Sequence, residues 1–411
     1  MMSQHTIYKK IQRFKKSRVA TVEGVNYAYV VAPFLYNDSF YSAMKKFVFS
    51  LFFKTRVSVL ESQGRDLLLY YSARNKRRED YDYIPKRIRE IVDCDYLETA
   101  ESFSVLQPIR TVRHFFLAWR LSAGFDEQLL QRVACAALIA KYRSTAVQLF
   151  PHLITNRKRL ITFCDAHAPE NLLTQMARSV GVTTFTNQHG QYRLLDSSNL
   201  SVDAEAYANF VSNYMFCWGA ATREEFVKFG FKPEQLIVTG WIKQWDESIA
   251  GSPVGVFGVM LNGENSRDSN AELLRAARSI AGSLNLKYRV RLHPWSKPSQ
   301  YSHAVDDYCV GIGHFKLSEY LGGVDFSLAH MTGATIEVLH ANAPIYLLDD
   351  GSLPCAFRVS GLSYVGVDQI IKAIAVDLQS PEEADGRFKK IHKWFNDDAA
   401  QVERLRVALG E

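Results

Sequence analysis

The chain has 411 residues, of which 47% are hydrophobic and 22% charged, and its formal net charge is +6. This composition excludes general disorder, and the length allows two or three domains of about 100 to 200 residues each. No apolar run reaches the roughly 18 to 20 residues that a membrane-spanning helix needs, and the start is polar and basic, so we expect a cytoplasmic location.

The cysteines indicate the redox environment. All six stand far apart, without a Cys-x-x-Cys pair and without a spacing that we recognise as a metal-ligand pattern. We therefore expect reduced core thiols, and neither a zinc site nor a disulfide framework.

Basic residues crowd two places, residues 1–18 and both ends of the apolar run 47–53. Such a pattern can bind an anionic membrane surface, such as the cytoplasmic face of an inner membrane. The alternative is that 47–53 belongs to a core helix or strand with charged ends, and we favour it because short apolar runs are more often core. Nucleic-acid binding is not expected, since no recognised module interleaves aromatic and basic residues here.

The first elements in the chain alternate between strands and helices. After a loose or helical basic arm, the pattern predicts strands over 26–34, 57–60 and 67–71, a helix over 38–53 and a strongly helical region over 110–149.

Two Asp-x-Asp triplets, Asp80–Asp82 and Asp93–Asp95, can hold a divalent metal when they follow a strand. Their charged, helix-like surroundings disfavour that role, and we expect no metal site.

The middle of the chain has the pattern strand, helix, strand. The strand over 160–163 leads to Asp165, and the strand over 182–186 leads to Gln188 and His189. Because parallel strands end at the same sheet edge, Asp165 and His189 would face one cleft. Alternatively, Asp165 is a helix cap and His189 a turn residue.

The second half starts afresh after the Gly, Ser and Pro of 251–253, so we place a domain boundary between about 242 and 253. We expect an N-terminal domain over 1–245 and a C-terminal domain over 246–411. Before the boundary, strands are predicted over 213–219 and 236–240 and a helix over 222–229. After it, strands are predicted over 254–262, 287–292, 324–328 and 344–348, and helices over 270–284, 317–322 and 334–341. This alternation predicts two doubly wound α/β domains facing across a cleft, with ligands at the carboxyl edges of both sheets.

A turn in the second half could hold a phosphate. A strand delivers the chain to His330, Met331, Thr332 and Gly333, and a helix begins at once, so free backbone N–H groups would face the cleft. Gly333 allows close approach, Thr332 offers a hydroxyl, and Glu337 could reach a ribose hydroxyl one turn later. The alternative is an ordinary capped helix with a structural glutamate.

A second strand end in this half carries an imidazole. His293 ends the strand over 287–292, and Pro294 fixes the backbone there, so the ring could donate to a phosphate. A single histidine at a strand end is more often structural. Two such strand ends in one half, however, point to one nucleotide.

This order of features resembles the metal-independent glycosyltransferases of the GT-B fold, above all the retaining β-Kdo transferases that build bacterial capsule and O-antigen from CMP-Kdo. Bacterial sialyl- and polysialyltransferases share the His-Pro feature. The resemblance covers roughly residues 160–350. It implies that His293, Pro294 and the turn at 330–333 hold a CMP-like moiety. It also implies that Asp165 acts on the anomeric carbon with Gln188 and His189 beside it.

The resemblance further implies a nucleotide-sugar donor, no metal or other cofactor, and a surface glycan or glycolipid as acceptor. Retention and inversion of the anomeric centre both stay open, since Asp165 could be nucleophile, stabiliser or general base. Three rival functions also stay open: a glycerophosphotransferase that uses a CDP-activated polyol, a sugar-nucleotide epimerase, and a non-catalytic GT-B-like scaffold that binds membrane enzymes.

Overall fold

The computed structural model describes the chain except for residues 1–2, 38, 74–78, 126–127, 154–156, 191–203, 205–207, 244–254, 264–265, 295, 302–305, 331, 342, 352, 354 and 411. The expected linker at 251–253 and Met331 therefore lie outside the described residues. Among those that are described, no helix combines the length and the apolar character needed to cross a bilayer.

The chain divides into two compact units. The first comprises residues 1–218, 223–243 and 398–411, and the second comprises residues 219–222 and 244–397. The chain end at 398–411 thus belongs to the first unit, whereas the expected C-terminal domain included it.

The first unit is built on a seven-stranded sheet with the order β3-β5-β4-β6-β7-β8-β9, in which β3 runs antiparallel to β5 and the other neighbours are parallel. Strands β1 and β2 form a separate antiparallel pair. The strands are β1 (Thr21–Val22), β2 (Val25–Asn26), β3 (Phe53–Glu61), β4 (Leu67–Ser72), β5 (Asp95–Phe103), β6 (Arg159–Thr162), β7 (Thr183–Asn187), β8 (Tyr214–Cys217) and β9 (Leu236–Val238).

Helices cover this sheet. They are α1 (Gln4–Lys16), α2 (Tyr27–Val31), α3 (Phe40–Phe52), α4 (Glu79–Ile91), α5 (Gln107–Leu121), α6 (Leu129–Leu149), α7 (Glu170–Ser179) and α8 (Ala220–Lys228). Every residue of β4 is buried, as expected for a parallel strand with helices on both faces. The predicted helices over 38–53 and 110–149 are confirmed as α3, α5 and α6.

The predicted strand over 26–34 is wrong, because this segment forms the helix α2. The Asn26 side chain accepts a hydrogen bond from the Ala28 N–H at 3.0 Å and caps the helix. Tyr27, Ala28, Val30 and Val31 are buried. A short helix buried on nearly all sides has no polar face, so its sequence shows no helical period.

The strand β5 was missed, and it contains one member of the Asp-x-Asp triplets. The Asp95 carboxylate accepts hydrogen bonds from Gln63 N and Ser62 Oγ, both at 2.8 Å, and pairs with Arg157. Asp82 of the other triplet pairs with Lys86 at 2.6 Å. These carboxylates hold the surrounding structure together.

The basic arm is the helix α1, and its apolar side belongs to the core of the first unit. Ile7, Ile11 and Phe14 are at most 3% exposed, while Lys9 and Arg13 lie at the surface. The helix therefore contributes to packing as well as to surface charge.

The second unit is built on a six-stranded, wholly parallel sheet with the order β12-β11-β10-β13-β14-β15. The strands are β10 (Val256–Met260), β11 (Lys287–Arg291), β12 (Cys309–Gly313), β13 (Ser327–Ala329), β14 (Ile345–Leu348) and β15 (Ser363–Tyr364). The helices are α9 (Arg267–Leu284), α10 (Leu317–Leu321), α11 (Thr335–His340), α12 (Cys355–Val359), α13 (Val367–Gln379) and α14 (Pro381–Phe395), and α15 (Gln401–Leu409) returns to the first unit. Counted within the unit, the strand order is 3-2-1-4-5-6, that of the Rossmann fold.

Candidate functional site

Each sheet has a point where the direction of strand addition reverses. In the first unit the chain adds β5 on one side of β4 and then β6 on the other. In the second unit it adds β11 and β12 on one side of β10 and then β13 on the other. Open α/β sheets bind ligands in the crevice at the carboxyl ends of the strands at this reversal. The loop after β6 and the loops after β10 and β13 are therefore the candidate site segments.

The loop after β6 carries Asp165, which is 0% exposed. Its Oδ2 accepts hydrogen bonds from Ser212 Oγ at 2.6 Å, Ser212 N at 2.7 Å and Val211 N at 3.0 Å. Burial raises the pKa of Asp165, and these hydrogen bonds act in the opposite direction. The carboxylate thus ties this loop to the segment before β8, and in this conformation it cannot contact a substrate.

Two asparagines extend this buried network. The Asn171 side chain donates to the Asp165 carbonyl at 2.8 Å and to the Asn209 carbonyl at 3.1 Å. The Asn209 side chain donates to the Ala166 carbonyl at 2.7 Å. The loop between β6 and α7 is therefore held by side chains that come from both sides of it.

Gln188 and His189 follow β7 at the same edge of the sheet. The Gln188 Oε1 accepts from Trp218 N at 2.7 Å, and its main-chain carbonyl accepts from Trp218 Nε1 at 3.1 Å. His189 is 9% exposed, and its ring centroid lies 6.1 Å from those of His167 and Phe163. Gln188 thus has a positioning role, and the imidazole of His189 lies beside a second imidazole.

The structure brings Cys164, His167 and His189 together, with their ligand atoms all within 4.8 Å of one another. Thiolate and imidazole are the ligands of tetrahedral zinc sites, and three of them leave a position open for water or substrate. The sequence analysis overlooked the Cys164-x-x-His167 spacing. Among the residues that the structure describes in the first unit, this trio, on the loops after β6 and β7, could hold a metal.

Sequence reasoning also missed two tryptophans. Trp218 comes directly after β8 and Trp241 three residues after the end of β9, and their rings stack at 4.2 Å with planes 10° apart. Together with Asn187 and Gln188 they line a small cavity of about 10 Å³, room for about one water molecule, at the carboxyl edge of the first sheet. Aromatic residues shortly after two consecutive strands were the available signal.

In the second unit, His293 lies against the loop that follows β10. An added Cβ on Gly263 would lie 3.5 Å from His293 Nδ1, so the glycine leaves just enough room for the ring. The imidazole is half-buried, whereas Pro294 is exposed. The His-Pro feature is therefore at the carboxyl edge of β11, next to the strand where the order reverses.

His330 follows β13 and is 2% exposed. Its Nδ1 contacts the Leu348 carbonyl oxygen at 2.8 Å, and its Nε2 contacts the Ser269 carbonyl oxygen at 2.5 Å. Since carbonyl oxygens accept only, both contacts are hydrogen bonds when both ring nitrogens carry a proton. The Asp350 carboxylate lies 3.9 Å from Nδ1. With both nitrogens engaged, His330 ties β13, β14 and the start of α9 together.

The turn after His330 contains open space. Gly333 is exposed, and among the described residues other than its two chain neighbours none has an atom within 4 Å of a Cβ added to it. The Thr332 hydroxyl accepts a hydrogen bond from Ala334 N at 3.2 Å and thereby caps the turn. Glu337 is half-buried in the first turn of α11. Of the predicted residues in this turn, Gly333 is the one beside which a ligand has room.

Arg291 is a further residue that sequence reasoning missed. It ends β11, and its Nε donates to the Phe315 carbonyl at 3.1 Å. Burial lowers the pKa of its guanidinium, and the charge of Glu337 acts in the opposite direction. An arginine at the carboxyl end of a strand, two residues before the His-Pro pair, was a signal for an anion site at this edge.

Comparisons with known proteins bear on the fold. No protein-family model matches the sequence, and no curated protein sequence matches it. The UDP-GlcNAc 2-epimerase from Methanocaldococcus jannaschii has a similar structure, with a TM-score of 0.52, 12% identity, and coverage of 84% of this chain and 99% of that one. The chain has the GT-B fold.

Two other solved structures are similar over 84% of this chain, each at 12% identity. One is the UDP-GlcNAc 2-epimerase from Neisseria meningitidis bound to UDP-GlcNAc, of which 100% is covered at a TM-score of 0.48. The other is the calicheamicin glycosyltransferase CalG4, of which 99% is covered at a TM-score of 0.45. The expected α/β class with two Rossmann-like domains is confirmed.

Proposed function

We propose that this protein is a glycosyltransferase that uses a nucleotide-sugar donor and transfers the sugar to a glycan or glycolipid acceptor. The observation that carries the proposal is the wholly parallel second sheet in Rossmann order, with open space at Gly333 in the loop beside its point of reversal. That crevice is where such sheets bind nucleotides.

We propose that the donor nucleotide lies against the loops after β10, β11 and β13. Gly333 would let a phosphate or ribose approach the backbone. Arg291 and His293, at the end of β11, would supply the positive charge that a leaving phosphate needs. Glu337 would accept a hydrogen bond from a ribose hydroxyl. In this account His330 and Thr332 shape the loop, and no step requires a metal.

The first unit would hold the acceptor. Asp165 was expected to act on the anomeric carbon, but that role needs an exposed carboxylate, and Asp165 is 0% exposed. We therefore propose that Asp165 positions the loop that carries His167, and that Gln188 positions the chain next to His189. We propose His189, which lies beside His167, as the group that contacts the acceptor hydroxyl.

For the donor we propose CMP-Kdo. This choice is supported by the order of motifs over residues 160–350, and CMP-sialic acid, UDP-sugars and CDP-glycerol are the alternatives. A sugar-nucleotide epimerase has the same architecture among the structural neighbours. It would process the nucleotide sugar without any dependence on an acceptor.

A thermal-shift panel of CMP, CDP, UMP, UDP, GDP and dTDP, with and without magnesium, tests the proposal. A ligand that binds only the folded state stabilises it in proportion to occupancy. We expect selective stabilisation by CMP that does not need magnesium. Selective stabilisation by a nucleoside diphosphate would keep the nucleotide site and reject CMP-Kdo. No shift with any nucleotide would reject the transferase and favour a non-catalytic scaffold.

A further inference from the structure

Helices α3 and α5 expose large apolar side chains at helical spacing. On α5, Ile109, Val112 and Phe116 are 70%, 68% and 76% exposed. Residues three and four positions apart lie on the same side of a helix, so these three form one stripe. On α3, Tyr41 and Val48 are 77% and 45% exposed and belong to a matching stripe.

The two stripes lie on neighbouring helices. Both helices pack on α6 and contact each other. Between them, the buried Thr111 hydroxyl of α5 donates to the buried Ser50 carbonyl of α3 at 3.0 Å. At the end of α3, the ring of Phe52 stacks on Phe103, which is itself 63% exposed. We call these stripes with their flanking residues the α3/α5 face; its exposed apolar members are Phe40, Tyr41, Met44, Val48, Phe103, Val105, Leu106, Ile109, Val112 and Phe116.

The charge on this face has one sign. Neither α3 nor α5 contains an aspartate or a glutamate. Lys45, Arg113 and Arg120 are exposed, and Arg110 is half-exposed. Folded proteins rarely leave so many large apolar side chains in water unless a partner covers them. The partner must therefore accept apolar side chains and carry negative charge.

We propose that the α3/α5 face binds an anionic lipid bilayer. Amphipathic helices with aromatic and aliphatic side chains among Lys and Arg lie in the membrane interface, where the apolar groups enter the acyl boundary and the cations meet phosphate headgroups. A second copy of this chain fits the face poorly, because a two-fold contact would bring its cations against the same cations of the partner.

The sequence suggested membrane contact for two places, the basic arm and the charged ends of the run 47–53, and α3 contains most of that run. The apolar side of α1 is used in the core, so that helix offers charge but little apolar area to a bilayer. The inference does not rest on the proposed glycosyl transfer, since it concerns a separate surface and its test needs no nucleotide.

Vesicle flotation of the full-length chain tests the inference. We expect the protein to float with vesicles of phosphatidylcholine mixed with phosphatidylglycerol, and much less with phosphatidylcholine alone. The double variant Val112→Ser/Phe116→Ser should weaken binding to the mixed vesicles by at least about tenfold. Arg113→Glu/Arg120→Glu should weaken it as well, by removing the electrostatic part.

The matched control is Val376→Ser/Leu378→Ser on α13. These two side chains are 59% and 58% exposed, but α13 also carries Asp368 and Asp377. The control should float like the unchanged protein, and all variants should keep its melting temperature because they alter exposed positions. Three results would overturn the inference: no flotation with anionic vesicles, equal loss in the control, or a dimer in solution that the Val112/Phe116 variant dissociates.

Discussion

The two points of strand-order reversal use their polar residues differently. At the first, Asp165 is fully buried and takes three hydrogen bonds from residues 211 and 212. At the second, Gly333 is exposed in the loop after β13, and Arg291 and His293 lie at the end of β11, on the other side of β10. The same topology therefore yields one loop held tightly by its own chain and another with room for a ligand. Polar residues at a favourable sheet edge do not by themselves make a binding site.

The largest expected effect comes from removing the hydrogen bonds that Asp165 accepts in the loop after β6. Asp165→Ala leaves the Val211 and Ser212 donors buried without an acceptor. At about 1 to 3 kcal/mol for each such group, we expect a loss of roughly 3 to 5 kcal/mol in the free energy of unfolding, measured by urea denaturation. Asp165→Asn, which keeps one acceptor oxygen, should lose about 2 kcal/mol.

Asp165→Asn also distinguishes the two loops, through its separate effects on glycosyl transfer and on nucleotide binding. Asp165→Asn should lower the rate of glycosyl transfer, because it loosens the loop that carries His167, but it should retain the nucleotide-induced rise in melting temperature, because the proposed nucleotide site lies in the other unit. Full transfer activity in this variant would remove Asp165 from the mechanism altogether.

A second buried carboxylate in the first unit gives a smaller, pH-dependent effect. Glu225 on α8 is 6% exposed, neither of its oxygens accepts a hydrogen bond from a described residue, and burial raises its pKa to about 8. A carboxyl whose folded pKa lies above its unfolded value of 4.5 favours folding only while protonated. Its contribution to stability therefore falls as pH rises from about 4.5 to about 8.

Glu225→Gln should remove this dependence. At about 1.4 kcal/mol per pKa unit, the variant should gain about 4 to 5 kcal/mol relative to the unchanged protein at pH 8, and little at pH 4.5. Urea denaturation at several pH values measures the difference. A constant difference across this range would show that Glu225 titrates normally in the folded chain.

A substitution at the open turn should leave stability unchanged and impair binding. Gly333→Val places a side chain where the structure has no atom within 4 Å, so the fold should tolerate it. We expect at least a tenfold loss in nucleotide affinity, equal to about 1.4 kcal/mol, by calorimetric titration. Gly386→Val, on α14 with equally open surroundings, is the control and should bind normally. Unchanged affinity in Gly333→Val would place the nucleotide elsewhere.

The smallest expected effect is that of a chelator. If transfer needs no metal, EDTA should change the rate by less than about twofold. The trio of Cys164, His167 and His189 makes a specific alternative testable. Metal-independent transfer would be rejected, and the trio identified as a metal site, by two results together. EDTA would have to remove an activity that added zinc restores. Cys164→Ser would have to remove the activity as well, while Cys94→Ser keeps it.

Sequence periodicity predicted the fold well where elements had one apolar face or a long buried run. The strands β4, β6, β7, β10, β11 and β14 and the helices α3, α6 and α9 all lie within or close to their predicted ranges. Several elements were not predicted, among them α4, β12 and the helices after residue 354. Two failures have a clear physical reason: α2 is a buried helix without a polar face, and the charged residues of β5 gave no alternating pattern. Both are stabilised by tertiary contacts that a local window does not contain.

The candidate site was predicted less completely. The order of strands predicted which residues lie at the sheet edges. It did not predict which hydrogen-bond partners their side chains have in the folded chain. The donors to Asp165 lie up to 47 residues later, and His330 contacts Ser269, 61 residues earlier. Such pairings depend on how distant loops meet. Cys164 and His167 stand three residues apart and could have been noticed, whereas His189 joins them only in the folded chain.

The central claim is that a donor nucleotide binds the second unit at the reversal point of its sheet. Hydrogen exchange measured by mass spectrometry, with and without the nucleotide that stabilises the protein most, tests it directly. The account predicts protection in peptides that cover residues 261–263, 291–294 and 332–337, and none in residues 163–169. Protection confined to the loop after β6, or to neither unit, would contradict the account.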